Sequence, residues 1–407
     1  MADDLSVKCC IAGGGPAGMM AGYLLARAGV DVVVLEKHAD FLRDFRGDTI
    51  HPSTLEVMNE LGLYDALLKR PHQQVTQLKG RFGTYETVFA DFSHLPTRAK
   101  FMTLMPQWDF LDFLAGEARR YPKFKLMMNT EAVDLRWQDE RVVGVVARGP
   151  EGEFNIASTL VLGCDGRRST VREKAGLKVE DIGAPMDVLW FALTRLPDDP
   201  IDPVGNFGAG RIFVMIYRGD YWQCGYVIAK GGLEDVRRRG LQAFRDDIEA
   251  LAPFLHGRSA EVTSFDDLKL LSVGVDRLTV WHRPGVLCIG DAAHTMSPVG
   301  GIGINLAIQD AVATANLLAG PLRDGTLTDA DLQRLEDRRE SPTRRTQSLQ
   351  VAIQNNVIKA ALGRRGQPVK PPFLLRLIGW VPYLTRIPAR IVGLGFLPEH
   401  VDKAVIP

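Results

Sequence analysis

What the sequence lacks narrows its class before any motif is read. The five cysteines, Cys9, Cys10, Cys164, Cys224 and Cys288, show no CxxC spacing, so neither a disulfide scaffold nor a thiolate metal site is indicated. Four of them lie in apolar or aromatic runs and read as buried thiols of a reducing compartment. Neither charge is in excess. Lysine plus arginine and aspartate plus glutamate number 49 each, which leaves no basic field for nucleic acid and no acidic tail for cations. No apolar run reaches the ~20 residues of a membrane span. The start carries Asp3 and Asp4 where a secretory leader would carry positive charge. A cytoplasmic protein with no metal, no nucleic-acid partner and no spanning segment is expected. No internal repeat or low-complexity tract appears.

What is present is a chain of 407 residues, too long for one ordinary core, with two interleaved or consecutive domains as the default. An apolar run from Ser6 to Ala12 leads into Gly13-Gly14-Gly15-Pro16-Ala17-Gly18, a helical stretch to Ala28, and a second apolar run ending at Glu36. This is one βαβ unit, and the uninterrupted Val32–Leu35 suits a parallel strand covered on both faces. Between Val75 and Asp91 the pattern changes to short strands broken at Gly83-Thr84. A strand from Ala99 to Pro106 precedes a helix at Gln107. Short strands return at Val188–Arg195, Arg211–Tyr217 and Tyr221–Ala229, the last two joined by a hairpin signal at Arg218-Gly219-Asp220. They predict an antiparallel sheet assembled from two separated pieces of chain. The strand Gly285–Ile289 and the helix from Gly303 then return to the first architecture.

The chemistry-bearing residues follow from the backbone they need. Gly13 makes a tight turn, Gly15 lets backbone approach a pyrophosphate, and Gly18 permits close helix packing. The phosphate then faces a helix N-terminus. Glu36, at the end of the next strand, can accept the hydroxyls of an adenosine ribose. This motif alone does not separate FAD from NAD. Two later segments do, Gly163 to Ser169 and Gly290-Asp291-Ala292-Ala293-His294, each following a buried strand. Asp291 is positioned for a ribityl hydroxyl. Pro298, Gly300, Gly301, Gly303, Ile304 and Asn305 form a glycine-rich approach to a helix whose free amides and positive dipole end stabilise negative charge on a flavin edge.

On these residues the sequence resembles the para-hydroxybenzoate hydroxylase superfamily of single-component (group A) FAD monooxygenases, which includes polyprenylphenol and polyketide hydroxylases. The resemblance covers roughly residues 6 to 320. It rests on GGGPAG with Glu36, Arg46 in "FRGDTIHPSTLEVMNELGL", Gln107, "CDGRRSTVR" and "GDAAHTMSPVGGIGINLAIQDA". It implies an α/β fold with a Rossmann-like, three-layer FAD-binding domain. An interleaved antiparallel-sheet substrate domain and a helical C-terminus complete it. The expected division is 1–74, 99–180 and 276–360 for FAD, 75–98 and 181–275 for substrate, and 361–407 for the C-terminal segment. It further implies FAD contacts from Pro16, Ala17, Lys37, Arg46 and Gln107, with Val133 near the adenine. Asp165 falls where FAD and nicotinamide binding meet.

The implied activity is hydroxylation of an electron-rich aromatic, polyketide or quinone-like substrate by O2 and NAD(P)H through a flavin C4a-hydroperoxide. Reduction without oxygen insertion, Baeyer-Villiger insertion or epoxidation, and a nonenzymatic flavin-binding sensor stay open. The WxWxIP signature of the flavin halogenases does not occur. No second GxGxxG occurs either, since "GNFGAG" at 205–210 has the wrong spacing. NADPH or NADH is therefore expected to dock transiently, with Arg43, Arg167 and Arg168 as candidates for its phosphates.

Trp190, Arg211, Phe213, Met215, Tyr217, Trp222, Cys224 and Tyr226 are candidates for the substrate wall, each with a competing reading as sheet core. His51 is a candidate base on a phenol, against a structural role, and Pro298 a candidate at the reactive edge. The stretch from Pro371 to Val401 reads as a helical cap or subunit contact, with an amphipathic membrane contact as the alternative. A monomer or homodimer is expected.

Overall fold

The computed structural model describes residues 5–42, 49–200, 204–208, 210–363 and 373–403. Its larger sheet has eight strands. Leu5–Ala12 lies at the centre, parallel on one side to Val32–Leu35 and then Phe124–Met127, and on the other to Gly152–Gly163 and then Val286–Cys288. The uninterrupted Val32–Leu35 is buried at every position, as a strand covered on both faces must be. Antiparallel Arg141–Gly149 and Glu131–Gln138 extend the sheet from Gly152–Gly163. The helix Pro16–Arg27 packs between Gln107–Ala118 and Gly303–Asp324. Its glycine at position 22 brings it within reach of Val34 and Phe124, because a Cβ there would stand 2.7 Å from a Val34 methyl.

The second sheet has seven strands in the order Lys269–Leu271, Met186–Thr194, Tyr221–Ala229, Arg211–Tyr217, Val204–Gly208, Gln77–Phe82, Tyr85–Asp91. Two separated pieces of chain therefore build it, as the strand pattern predicts. It is antiparallel except where the pieces meet, and there Val204–Gly208 runs parallel to Gln77–Phe82. Residues 205–208 of the "GNFGAG" stretch lie in that junction strand. Arg218 donates to the Tyr221 carbonyl at 3.0 Å to close the hairpin, with Gly219 at φ +83. The sheets have separate cores. One contiguous apolar cluster underlies the parallel sheet, and separate clusters lie on the two faces of the second.

All five cysteines are buried and unpaired, and burial pushes the Cys10 thiol up to about 12. Among the described residues, one helical stretch, Val299–Asp324, is long and apolar enough to cross a bilayer, but 83% of its apolar window is buried inside the protein. It is the core helix of the parallel sheet.

Candidate active site

A single cavity of about 1240 Å³ runs from the first glycine motif to the second sheet. That exceeds the ~300–1,000 Å³ of an ordinary ligand pocket, enough for two ligands end to end. At one end it is walled by Gly13–Ala17, Glu36, Lys37, Gln107, Thr130–Ala132 and Asp165–Arg168. Gly13 has φ +102, and a Cβ there would fall 2.4 Å from the Cys164 carbonyl oxygen. At Gly18 a Cβ would fall 2.0 Å from the Gly13 carbonyl. Gly15 is different, with no atom within 4 Å of a Cβ position. Its missing side chain leaves room for a ligand rather than for protein. The helix Pro16–Arg27 starts there without a side-chain cap, so its first amides open onto the cavity with no internal partner, which suits an anionic diphosphate. Glu36 accepts from the Gly14 and His38 amides at 3.0 and 3.1 Å, which fixes its carboxylate at the strand end. Lys37 lies 3.9 Å from Glu131 at the rim. These residues fit an adenosine diphosphate moiety.

One expectation needs correction at this end. Val133 does not join the cavity wall, which stops at Ala132. A register shift opposite Val133 breaks the strand alternation there. The Asp165 carboxylate is committed internally, accepting from the Ser169 hydroxyl at 2.5 Å and the Val171 amide at 3.1 Å. Burial pushes its carboxyl up, against those hydrogen bonds. It holds the turn in shape rather than presenting a free carboxylate. Arg46 and Arg43 lie outside the described residues.

Midway, Asp291 is half-exposed and sits 3.5 Å from Arg167 Nε. Gly290, at φ +60, donates to Asp310 at 3.1 Å, and a Cβ on it would stand 3.0 Å from the Ala17 methyl. Asp310 is fully buried between His294 Nε2 at 2.6 Å and Arg339 Nε at 2.9 Å. Burial alone would raise its carboxyl, but His294 and Arg339 hold it below the usual range. This buried ion cluster, absent from the sequence reading, props the GDAAH turn from behind. Its signal was a charged residue inside an otherwise apolar helical run.

Pro298, Gly300, Gly301, Gly303 and Ile304 line the same stretch of cavity, with Gly300 and Gly301 at φ +80 and +63. The helix Gly303–Asp324 also starts without a side-chain cap, so a second uncapped N-terminus faces the cavity. Asn305 is not available to a ligand. Its Oδ1 accepts from the His51 amide and the Thr54 hydroxyl, and its Nδ2 donates to the carbonyls of Thr49 and Gly301. It staples the glycine turn to the strand Thr49–Ile50.

His51 does not reach the cavity wall. It is fully buried, and its Nδ1 donates to the Val392 carbonyl at 2.6 Å. Burial pushes the imidazole down to about 4, against the pull of the Val392 and Gly300 carbonyls. The expected base is thus a neutral clasp between the C-terminal helix Arg386–Leu394 and the segment leading to Pro52.

At its far end the cavity meets one face of the second sheet. Trp190 is on that face, but Arg211, Phe213, Tyr217, Trp222 and Tyr226 are on the other. The register pairs Trp190 with Gly225 and Val214 with Gly225, while Phe213 pairs with Tyr226 and Tyr217 with Trp222. The aromatic face packs under the helix Leu241–Leu251 around Phe244. Behind it Asp247 is buried and bound by Arg211, Arg239 and the Tyr226 hydroxyl. The cavity face instead carries Val188, Ile212, Val214, Ile216 and Val227, with the stacked rings of Phe82 and Phe207 at 4.6 Å. The opposite wall comes from the C-terminal segment, through Leu375, Ile378, Leu384, Ile387, Pro388 and Ile391. Residues 384, 387, 388 and 391 stand at helical spacing, the signal that could have found them.

The profile of the family described as FAD binding domain matches residues 6–347. The chain is 31% identical over 374 residues to a 6-methylpretetramide 4-monooxygenase of Streptomyces rimosus, covering 91% of this chain and 88% of that protein. It is 29% identical to a rifampicin monooxygenase of Streptomyces venezuelae over 74% of this chain and 61% of that protein. It therefore spans about three fifths of the latter's length. Among solved structures, p-nitrophenol 4-monooxygenase from Pseudomonas putida DLL-E4 superposes with a TM-score of 0.76 at 22% identity, over 95% of this chain and 97% of that one. An anhydrotetracycline hydroxylase from Streptomyces rimosus gives 0.74 at 24%, over 96% and 76%. These two likenesses show the fold.

Proposed function

The chain belongs to the FAD-binding-domain family of group A flavin monooxygenases, and from that premise we propose that it hydroxylates an apolar, polycyclic aromatic substrate of polyketide type, with NAD(P)H and O2 as co-substrates. The continuous cavity carries this reading, because a dinucleotide-shaped end and an apolar end share one space. The substrate named for the Streptomyces rimosus relative belongs to that protein; the apolar lining here supports the same broad class. Lys79 is the one charged lining residue from the second sheet among the described residues, so an uncharged ring system fits better than a small carboxylate.

When bound and reduced, FAD supplies the activation of oxygen. The chain supplies position and electrostatics. The amides opening the helix Pro16–Arg27 would hold the diphosphate, and Glu36 would hold the adenosine ribose. The amides of Gly300–Gly303, at the positive end of the helix Gly303–Asp324, would stabilise negative charge on the flavin ring. Pro298, on the same stretch of cavity wall, would pack close to the ring's reactive edge. Trp190, Phe82 and Phe207 on one side, and the C-terminal helices on the other, exclude water. Arg167 and Arg168 at the rim are the described candidates for the nicotinamide phosphates.

The two separate cores support the division into an FAD unit of 1–74, 99–180 and 276–360, a substrate unit of 75–98 and 181–275, and a C-terminal segment. The unpaired buried thiols support a cytoplasmic setting. Oxygen uptake by the flavin-loaded protein with NADPH or NADH, across a panel of phenols and polycyclic aromatics, tests the activity. Substrate-stimulated uptake with a product heavier by one oxygen is expected, and flavin reduction with no oxygenated product from any panel member would refute it.

A further inference from the structure

The helices Phe373–Trp380 and Arg386–Leu394 have two sides. Leu375, Ile378 and Ile391 point into the cavity. Outward, Phe373, Trp380 and Tyr383 are 73%, 64% and 67% exposed, unusual for three large rings so close together. Arginines frame them. The Arg376 guanidinium lies 5.3 Å from the Trp380 ring centre, and that of Arg386 lies 4.5 Å from the Tyr383 ring centre. Arg390 is exposed on the next turn. In a chain of zero formal net charge, the segment from Ser341 to Pro398 contains nine lysines and arginines and no aspartate or glutamate.

We propose that this face docks the protein on an anionic lipid bilayer, with the rings seated at the headgroup level and the arginines paired to lipid phosphates. Aromatic rings with basic neighbours are the composition of an interfacial surface, since the rings have an apolar body and a polar tip. Charge decides between a bilayer and a second copy of the chain. A two-fold contact through this face would set the arginines of one copy against those of the other, with no acid in the segment to neutralise them. A negatively charged membrane complements all of them at once. The docking stands on these surface residues alone. Its consequence, that a lipophilic substrate crosses from bilayer to cavity through a wall one helix thick, rests on the proposed function.

The test uses full-length, FAD-loaded protein and vesicles of phosphatidylcholine with or without phosphatidylglycerol. The protein is expected to sediment with the mixed vesicles and to be released by salt. The triple variant R376Q/R386Q/R390Q should partition roughly a hundredfold more weakly, at roughly fivefold per arginine. Tryptophan emission should be quenched by brominated lipid in the parent and not in Trp380→Phe, a variant that keeps the ring and hence the fold. Failure of the parent to bind anionic vesicles would overturn the proposal, as would undiminished binding by the triple variant. So would a dimer in light scattering that dissociates on Trp380→Ser, which would assign the face to self-association. Failure of oxygenation in the activity assay would leave the vesicle result standing.

Discussion

Two alanine substitutions two residues apart should separate what the glycine motif does for the protein from what it does for the ligand. At Gly13 the backbone has φ +102, and the new Cβ would sit 2.4 Å from the Cys164 carbonyl oxygen and 2.8 Å from the Asp165 Cα. Holding alanine in that conformation costs about 1–3 kcal/mol, and relieving the contact against a rigid strand end costs about another 1–3 kcal/mol. The entropy of unfolding of a chain this long gives roughly 1 °C per kcal/mol. Gly13→Ala should therefore lower the melting temperature of the apoprotein by about 2–7 °C. Gly15 has φ −74 and no atom within 4 Å of its Cβ position. Gly15→Ala should melt with the parent, yet put a methyl where a phosphate approaches the helix amides. Loss of one charged hydrogen bond, worth about 1.5–3 kcal/mol, predicts FAD binding roughly 10- to 150-fold weaker. Calorimetry of the apoproteins and quenching of FAD fluorescence on titration measure the two effects. If Gly15→Ala binds FAD like the parent, the open side of the turn is not the diphosphate site. If the Gly13→Ala apoprotein melts with the parent, the close approach to Cys164 is wrong.

Removing His51 should flatten the acid limb of stability. Its folded pKa near 4 lies below the ordinary 6.5, so the unfolded chain takes up the proton first. The neutral ring's contribution is therefore present in full above pH 6.5 and shrinks as pH falls toward 4, by about 3 kcal/mol at most; urea midpoints of parent and His51→Gln across that window measure it, and parallel curves would refute it. Gly225→Ala puts a methyl 2.9 Å from Val214 and 3.0 Å from the Trp190 ring. The indole should be driven into the cavity, raising KM for bulky substrates more than for small ones while FAD affinity stays put, and an unchanged KM ratio would refute this. Tyr226→Phe removes a donor to buried Asp247 and should cost about 1–3 kcal/mol of stability with kcat/KM unchanged, whereas a specific loss of activity would restore Tyr226 to the substrate wall.

The parallel half of the fold was legible because its signals are local. A continuous apolar strand, a glycine turn and a helix lie within thirty residues, and backbone geometry leaves little choice about their arrangement. The second sheet was legible as strands for the same reason, with Arg211–Tyr217 and Tyr221–Ala229 readable to their ends. Which face of those strands meets the ligand was not. Alternation says that Phe213 and Ile212 point opposite ways, but it does not say which way the cavity lies. Large rings drew attention to the face that packs hardest, where Phe191, Phe213, Tyr226 and Phe244 fill a core. A cavity face needs smaller side chains that leave space, and those look unremarkable in sequence. Gly225, opposite both Trp190 and Val214, leaves such space on the cavity face.

The remaining gaps concern pairs far apart in the chain, and they converge on the C-terminal segment. Glu399 binds Arg338 and Arg339, Arg339 binds Asp310, and Asp310 holds the Gly290 amide. Val392 accepts from His51, whose own amide is held by Asn305 at the start of the helix Gly303–Asp324. Two independent chains of buried polar contacts thus run from the tail to the two turns that would hold the flavin. Buried charges of this kind cost more when one partner is removed than they return when formed. The end of the tail, from Val392 to Glu399, is accordingly held against the core, and its register is set by the same residues that set the flavin turns. Arg339→Met leaves Glu399 with Arg338 but strips Asp310 of its guanidinium. It should therefore loosen the end of the tail and the GDAAH turn together, seen as faster amide exchange at both 290–294 and 396–401, while 386–392, held through His51, stays protected. Exchange that rises in only one of the two segments would mean that the tail and the flavin turn are held separately.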